Sequence, residues 1–296
     1  MSVSSSEVLD KSPRRGRMIA LLAGATILIL VVAGVVYVEA TRTRGGLLIY
    51  VGSSMRQPME QCAAAYEKKT GVHVSPSYAD SGEVLAQVKN SGMGELAVLH
   101  EPYLTQGKRD GWAKDTFVVA VTTPVIAVAK GNPKQVKGLK DFLRPDLRVG
   151  MTDYRYATSG AIARDAMTRA GILEQVMARR PPPYENKSSG QTAAQVIIGA
   201  LDAVIIWDAV AGNDADKLDV IPIESQFMPA AFTDSEGVTY HDGHVPVGII
   251  LLTTGKEPVE TRKFIDFILS PQGQAIWKAN GYSPAADAAS APSQLK

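Results

Sequence analysis

The chain has 296 residues, a formal net charge of +1 from 31 basic and 30 acidic side chains, and a single cysteine. Its length suits two modest lobes, because a domain typically takes about 100 to 200 residues. The balanced charge provides no field that would attract nucleic acid, and a lone cysteine cannot form an intramolecular disulfide.

The first forty residues differ in composition from the rest. A polar, basic tail over residues 1–17 precedes MIALLAGATILILVVAGVVYV, residues 18–38, which has no charged side chain. A helix of this length covers about 30 Å, enough for the hydrocarbon layer of a bilayer. The basic tail places the N-terminus in the cytoplasm by the positive-inside rule. This predicts a single-pass cell-membrane protein whose C-terminal domain is extracytoplasmic, in the periplasm or at the cell surface. Cleavage after Ala40, as in a signal peptide, is the alternative.

From residue 45 onward, strand and helix patterns alternate. The order over residues 47–100 is LLIYVG, SMRQPMEQCAAAYEKKTG, VHVSPSYA, SGEVLAQVKNSG and ELAVLH. This βαβαβ order predicts parallel strands with helices on both faces, and ligands beyond the carboxyl ends of the strands.

The alternation continues through the second half of the chain. FVVAVTTPVIAVAKGNP, DLRVGMTD, DAVIIWD and VPVGIILLTT have the apolar runs of strands, whereas GLKDFL, YATSGAIARDAMTRAGI and QTAAQVIIGAL carry helix signals. EPVETRKFIDFILSPQGQAIWKANGY predicts a helical hairpin that is broken at Ser270 and Pro271. Residues 285–296, rich in Ala, Ser and Pro, predict a disordered tail.

Three strand-to-helix junctions share serine and glycine residues, at positions 52–54, 80–82 and 158–160. A helix start has unpaired backbone N–H groups and a partial positive charge, so it attracts an anion without a basic side chain. Serine and threonine are also ordinary N-caps that bind no ligand. Three such junctions at equivalent strand ends favour an anion site more than any one of them does.

These elements resemble the periplasmic solute-binding proteins of molybdate and tungstate ABC transporters, over roughly Leu47 to Tyr282. The similarity lies in the order of the elements and in short motifs, which include YVGSSMRQPMEQCAAAYEKKTG, VIAVAKGNP, AVIIWD and FIDFILSPQGQAIWKANGY. The resemblance implies a two-lobed α/β fold of the type II periplasmic-binding-protein kind, in addition to the N-terminal transmembrane helix. Each lobe is expected to be a mostly parallel sheet flanked by helices.

The resemblance also implies where the lobes divide and which segments join them. Lobe 1 takes residues 45–122 and 248–284, and lobe 2 takes residues 123–247. TTPVIAV and VPVGIIL are the strands expected to cross between the lobes.

The resemblance implies a monomeric binding protein for a small oxyanion. It implies neither catalysis nor a cofactor. Molybdate or tungstate is the expected ligand, and an ABC transporter permease is the expected partner. The ligand-binding positions carried over from the family are Ser53, Ser54, Ser81, Ser159, Ser189 and Trp207. Ser54 and Ser81 are the expected hydroxyl donors, and Gly190 is an alternative to Ser189 as a backbone donor. Trp207 occupies the place of a family tyrosine.

Several residues depart from the family pattern. ELAVLHEPY, which contains His100 and Glu101, replaces a family strand that is followed by Ser-Ala. Asp80, Asp153 and Asp208 place carboxylates near the expected anion, where like charges oppose binding unless they are paired or act as ligands. Some relatives coordinate the metal of the oxyanion with carboxylate oxygens, and the resemblance extends this role of metal ligand to Asp153.

Other functions stay open at this point. The same fold would serve a binding protein for another anion or a metal, or a membrane-anchored sensor or accessory domain that has lost transport. An enzyme would draw on His100, Glu101, His241 and His244. The sequence has no nucleophile elbow, Walker loop, dinucleotide fingerprint or metalloprotease helix, and two histidines three residues apart are a weak metal signal. We therefore expect a binding protein that is not an enzyme.

Overall fold

The computed structural model describes residues 46–179, 183–229, 231–233, 238–241, 243–256 and 258–285. The predicted cytoplasmic tail, the predicted transmembrane segment and the chain from residue 286 onward lie outside the described residues. Within the described part of the chain, no helix is long and apolar enough to cross a membrane.

Strands and helices alternate along the chain, as the sequence predicts. The strands are β1 (Leu47–Gly52), β2 (Val74–Ala79), β3 (Leu96–His100), β4 (Ala113–Thr122), β5 (Pro124–Ala129), β6 (Val149–Thr152), β7 (Tyr184–Asn186), β8 (Ala203–Trp207), β9 (Leu218–Pro222), β10 (Ala231–Thr233), β11 (Thr239–His241), β12 (Val245–Leu252) and β13 (Ser283–Pro284). The α-helices are α1 (Arg56–Thr70), α2 (Ser81–Ser91), α3 (Tyr103–Asp110), α4 (Thr158–Arg169), α5 (Leu173–Met177), α6 (Ser189–Ile197), α7 (Asp208–Gly212), α8 (Pro258–Leu269) and α9 (Pro271–Ala279). Short 3-10 helices cover Ser53–Met55, Leu139–Leu143 and Ser225–Phe227.

Lobe 1 is built on a six-stranded sheet in the order β13–β4–β12–β3–β1–β2. β1 pairs in parallel with both β2 and β3, which confirms the predicted βαβαβ unit. Alternate residues of β1 enter two different cores: Leu47, Ile49 and Val51 pack with side chains of α1, α8 and α9, whereas Tyr50 packs with side chains of α2. Because successive side chains of a strand point to opposite faces, helices bury both faces of this sheet.

Lobe 2 is built on a five-stranded sheet in the order β7–β6–β8–β5–β9. β6 pairs in parallel with β7 and β8. The strand β8, with the sequence AVIIW, is buried at every residue, as expected for a central strand that is covered on both faces. α4 follows β6 and α6 follows β7, so the first residues of these helices lie near the carboxyl ends of parallel strands.

Both sheets are mixed, which corrects the prediction that each is mostly parallel. β12 runs antiparallel to β3 and β4 in lobe 1, and β5 runs antiparallel to β8 and β9 in lobe 2. Parallel neighbours need a crossover connection, which is usually a helix. β5 follows β4 directly and β12 follows β11, so no helical crossover joins either strand to the strand before it.

The chain passes between the lobes at two places that are bonded to each other. β4 of lobe 1 ends at Thr122, and β5 of lobe 2 begins at Pro124. The return passage lies just before β12, which begins at Val245. The hydroxyl of Thr123 and Nδ1 of His244 lie 2.9 Å apart, so the outgoing and returning segments share a hydrogen bond.

Several elements are absent from the sequence prediction. They are the helices α3, α5 and α7, the short strand β7 within the proline-rich loop, and the strands β9, β10, β11 and β13. β7, β10 and β11 have three residues each, too few for a hydrophobic period to identify. GLKDFL, predicted as a helix, forms a 3-10 helix.

Gly160 lies where the start of α4 meets the end of β6. A Cβ atom at this position would collide with the carbonyl oxygen of Thr152 and lie 2.8 Å from the carbonyl carbon of Asp153. We expect Gly160→Ala to lower the free energy of unfolding by about 1 to 3 kcal/mol, the usual cost of overpacking. Urea denaturation measures this change. Gly190→Ala, near the start of α6, is the matched control, because a Cβ there meets nothing within 4 Å. Equal effects in the two variants would contradict the close packing at Gly160.

Candidate ligand-binding site

A small cavity lies between the lobes, at the ends of strands from both sheets. Its volume is about 10 Å³, close to the space that one ordered water needs. The lining residues are Ser53, Ser54, Asp80, Ser81 and His100 from lobe 1 and Ala157, Thr158, Ser159, Ser188, Ser189 and Trp207 from lobe 2. The structure thus brings together all six residues that the family resemblance implies as ligand-binding. Among the described residues, no lysine or arginine lines this cavity.

Three α-helices begin at the cavity. α2 begins at Ser81, α4 at Thr158 and α6 at Ser189, and the 3-10 helix Ser53–Met55 adds a fourth start. The first N–H groups of a helix have no partner within their own helix and carry a partial positive charge. The cavity is therefore suited to an anion although its lining has no basic side chain.

Buried hydroxyls connect the lobe 2 residues into a short chain. Oγ of Ser159 lies 2.6 Å from Oγ1 of Thr152 and 3.1 Å from Oγ of Ser189. Each hydroxyl can donate one hydrogen bond and accept others. When Thr152 donates to Ser159 and Ser159 donates to Ser189, the Ser189 proton remains for a ligand oxygen.

The lobe 1 serines differ in what their hydroxyls already bind. Oγ of Ser53 donates to Oδ1 of Asp80 at 2.7 Å, so its proton is in use. Oγ of Ser54 donates only to a neighbouring thioether sulfur at 3.1 Å, which is a weak acceptor. Oγ of Ser81 accepts from Thr158 at 3.4 Å and keeps its own proton available. Ser54 and Ser81 are therefore the lobe 1 hydroxyls best able to donate to a ligand.

The segment that follows α9 binds the backbone of Ser54. The hydroxyl of Tyr282 donates to the carbonyl oxygen of Ser54 at 2.9 Å. The Tyr282 ring packs edge-on against Trp277 of α9, with ring centroids 4.8 Å apart, and both side chains are buried. The C-terminal segment thus contributes to the geometry of the cavity from the far end of the chain.

Two of the three carboxylates that depart from the family pattern have contrasting surroundings. Asp80 lines the cavity, and burial raises its pKa although the hydrogen bond from Ser53 acts in the opposite direction. Asp153 lies outside the lining and forms an ion pair with Arg155, whose hydrogen bonds lower the pKa of Asp153. In this structure the Asp153 carboxylate binds a guanidinium. Among the described residues, no group of three His, Cys, Asp or Glu side chains is placed to hold a metal ion.

The third carboxylate, Asp208, binds the passage between the lobes. Its Oδ1 accepts hydrogen bonds from the hydroxyl of Thr122, from the Thr123 N–H at 2.9 Å and from the Ala209 N–H at 2.7 Å. Burial raises the pKa of Asp208, and these donors oppose that effect. Asp208 is not among the residues that line the cavity; its role in the structure is to tie the end of β8 to the β4–β5 passage.

Two contacts join the lobes at residues adjacent in sequence to the cavity lining. The N–H of Gly82 donates to the carbonyl oxygen of Tyr156 at 3.0 Å, and Nζ of Lys187 lies 3.0 Å from Oε1 of Glu83. The ion pair is exposed, so it contributes little to stability. An open pocket of about 450 Å³ beside the cavity shares part of its lining.

Comparison with known proteins agrees with this two-lobed geometry. A family model described as bacterial extracellular solute-binding protein matches residues 47–283. The chain belongs to this family. It is a solute-binding protein of the kind that serves ABC transporters and not an enzyme, and the proteins of this family carry no cofactor.

Relatives of this solute-binding protein are named for different oxyanions. The molybdate-binding protein ModA of Rhodobacter capsulatus is 22% identical over 265 residues, which cover 88% of this chain and 96% of the relative. The sulfate-binding protein of Escherichia coli K12 is 23% identical over 250 residues, which cover 75% of this chain and 72% of the relative. Among solved structures, the periplasmic molybdate-binding protein of Azotobacter vinelandii has a TM-score of 0.67 at 20% identity, covering 80% of this chain and 98% of that chain. This last similarity shows a shared fold.

His100 is a cavity residue that the sequence analysis names as a departure from the family pattern and as a residue for an enzyme, but not as a ligand-binding position. A signal for it was present, since His100 ends β3, the third parallel strand of the βαβαβ unit, and such strand ends adjoin ligands. The other histidines considered for an enzyme lie elsewhere: His241 is in β11, and His244 bonds to Thr123. Of the three histidines considered for an enzyme, His100 is the one that lines the cavity.

Asp80→Asn removes a buried acidic group and keeps an oxygen that can accept from Ser53. The raised pKa means that folded wild-type protein keeps the Asp80 proton to a higher pH than the unfolded chain, whose aspartates titrate near about 3.9. The wild-type protein should therefore lose stability relative to Asp80→Asn as the pH rises through the raised pKa. Urea denaturation from about pH 4 to about pH 8 measures the difference.

Asp266→Asn, at an exposed position of α8, is the control. A stability difference between wild type and Asp80→Asn that does not change with pH would count against this account.

Proposed function

We propose that this protein captures a small tetrahedral oxyanion, with molybdate or tungstate as the expected ligand, and delivers it to an ABC transporter permease. The observation that carries the proposal is the convergence of three helix starts and several hydroxyls on one cavity whose described lining has no basic side chain. Neutral donors of this kind suit an anion whose oxygens only accept hydrogen bonds. The names of the relatives support an oxyanion, and they make sulfate the alternative ligand.

In this proposal the two lobes contribute different donors. Ser54 and Ser81 donate hydroxyl hydrogen bonds from lobe 1. Backbone N–H groups of Ser159 and Ser189 donate from lobe 2, and the indole N–H of Trp207 takes the place of the family tyrosine. An anion held from both sides binds the closed cleft more tightly than the open one, and it therefore favours closure.

Asp80 is the feature that favours a second candidate, a ligand other than a simple anion. An ionised carboxylate beside an oxyanion opposes binding, whereas a cation or a protonated anion would be attracted to it. The raised pKa of Asp80 lessens the conflict with an oxyanion, because it extends the pH range over which the side chain is neutral. A binding protein for a metal is therefore the candidate that the ligand experiments must exclude.

Residues 18–38 provide the proposed attachment of the protein, as a single-pass anchor with the solute-binding domain outside the cytoplasm. The full-length protein expressed in a bacterium should remain in the membrane pellet after alkaline carbonate washing, since about 21 apolar residues span the bilayer. Deletion of residues 1–44 should leave the protein in the soluble fraction. Mass spectrometry of the mature N-terminus is the decisive measurement, because a chain that begins at Thr41 shows cleavage after Ala40 and contradicts the anchor.

Ser54→Ala combined with Ser81→Ala should weaken oxyanion binding by about 10²- to 10⁴-fold. Each lost hydrogen bond to a charged group contributes about 1.5 to 3 kcal/mol. Isothermal titration of molybdate into the full-length protein, kept in a mild detergent, measures the change. Ser225→Ala combined with Ser283→Ala is the matched control, because both serines are exposed. Unchanged affinity in the Ser54 and Ser81 variant would remove these residues from the site.

The ligand class itself is tested by thermal denaturation of the same protein with molybdate, tungstate, sulfate, phosphate and divalent metal ions. A ligand present at 100 times its dissociation constant adds about 2.7 kcal/mol of stability. We expect one or more of the oxyanions to stabilise the protein. Stabilisation by metal ions and by none of the anions would overturn the oxyanion proposal in favour of a metal-binding protein.

A further inference from the structure

His100 has two buried polar atoms that the protein leaves unpaired. Its side chain is 2% exposed, and neither Nδ1 nor Nε2 has a hydrogen-bond partner. Among the described residues that line the cavity, His100 is the one whose buried side-chain nitrogens have no hydrogen-bond partner. Buried polar groups are nearly always hydrogen-bonded, and each exception calls for an explanation such as a functional role. The unpaired nitrogens of His100 therefore indicate a partner that enters the cavity.

Trp207 covers one face of the His100 ring. The two ring centroids lie 4.4 Å apart, and the ring planes are inclined by 15°. His100 ends a strand of the lobe 1 sheet and Trp207 ends a strand of the lobe 2 sheet, so this stack is a contact between the lobes. The stack leaves the edge of the imidazole, which carries both nitrogens, for hydrogen bonding.

The His100 ring has the chemistry that an oxyanion requires. Burial lowers the pKa of His100 to about 3, so the imidazole is neutral at neutral pH. A neutral imidazole has one N–H donor and one nitrogen acceptor. Its N–H adds to the serine hydroxyls and helix starts around the same cavity, while Asp80 is the other titratable side chain of the lining.

We propose that His100 is a ligand-contacting residue that donates a ring N–H to the bound oxyanion in the closed cleft, where Trp207 stacks on it. The inference rests on the proposed function, because it takes the ligand to be an oxyanion. Separation of the lobes breaks the stack and exposes the ring to water. The His100 contact therefore forms only when both lobes are in place, and it stabilises the closed state through its preference for that state.

Substitution of His100 by phenylalanine tests the contact. His100→Phe keeps a flat ring against Trp207 and removes both nitrogens. We expect the affinity for molybdate to fall by about 10- to 100-fold, the range for one hydrogen bond to a charged group. Isothermal titration on the full-length protein measures it. His73→Phe is the matched control and should bind as wild type, because His73 lies at the surface and pairs with Glu67.

Thermal denaturation without ligand separates a binding role from a structural one. The nitrogens of His100 make no hydrogen bond within the protein that the substitution could remove, so unliganded His100→Phe should melt close to the wild-type temperature. His100→Asn and His100→Gln place an amide N–H near the positions of Nδ1 and Nε2. The variant that matches the donating nitrogen should recover part of the affinity.

Each outcome of these experiments supports or overturns the inference. Wild-type affinity in His100→Phe overturns the inference alone and leaves the proposed function standing. A large loss of melting temperature in His100→Phe, without recovery of affinity in either amide variant, assigns His100 a structural role and also overturns it. A wild-type protein that binds none of molybdate, tungstate, sulfate and phosphate overturns the proposed function and this inference together.

Discussion

The N-terminal ends of α2, α4 and α6 meet at one cavity, and this convergence follows from the direction of parallel strands. In a strand–helix unit the helix begins near the carboxyl end of its strand, and here units from two separate sheets turn these ends toward each other. Partial positive charges from several helix starts then act in one buried space, where water screens them weakly. The serine and threonine side chains at these starts add hydroxyl donors without adding charge.

The cavity and the passage between the lobes share one short stretch of backbone. Trp207 lines the cavity and stacks on His100, and the next residue, Asp208, accepts hydrogen bonds from Thr122 and Thr123. Thr123 also bonds to the returning segment. A change in the position of Trp207 is therefore coupled to the β4–β5 passage, around which the lobes would move. This arrangement connects ligand contact to the relative position of the lobes through adjacent residues.

Acidic side chains near the cavity differ in their surroundings. Burial raises the pKa values of Asp80 and Asp208, while each accepts hydrogen bonds from neighbouring hydroxyl groups. Asp153 has its pKa lowered by Arg155, which neutralises its charge outside the lining. Asp80 is the carboxyl that lies within the lining, so it has the greatest bearing on which ligands the site accepts. A site with serine donors and a buried acid accepts fewer kinds of ligand than a site with serine donors alone.

The sequence by itself determined the alternation of strands and helices, the serine-rich helix starts and the resemblance to solute-binding proteins. These features depend on local patterns, namely apolar periodicity and the residues at helix ends. The six residues that the resemblance implied as ligand-binding do line one cavity, yet only the tertiary structure showed that the proton of Ser53 is taken by Asp80. It also decided the antiparallel direction of β12 and the stacking of His100 on Trp207. Each of these depends on which distant segments of the chain come together, and local pattern carries no information about such contacts.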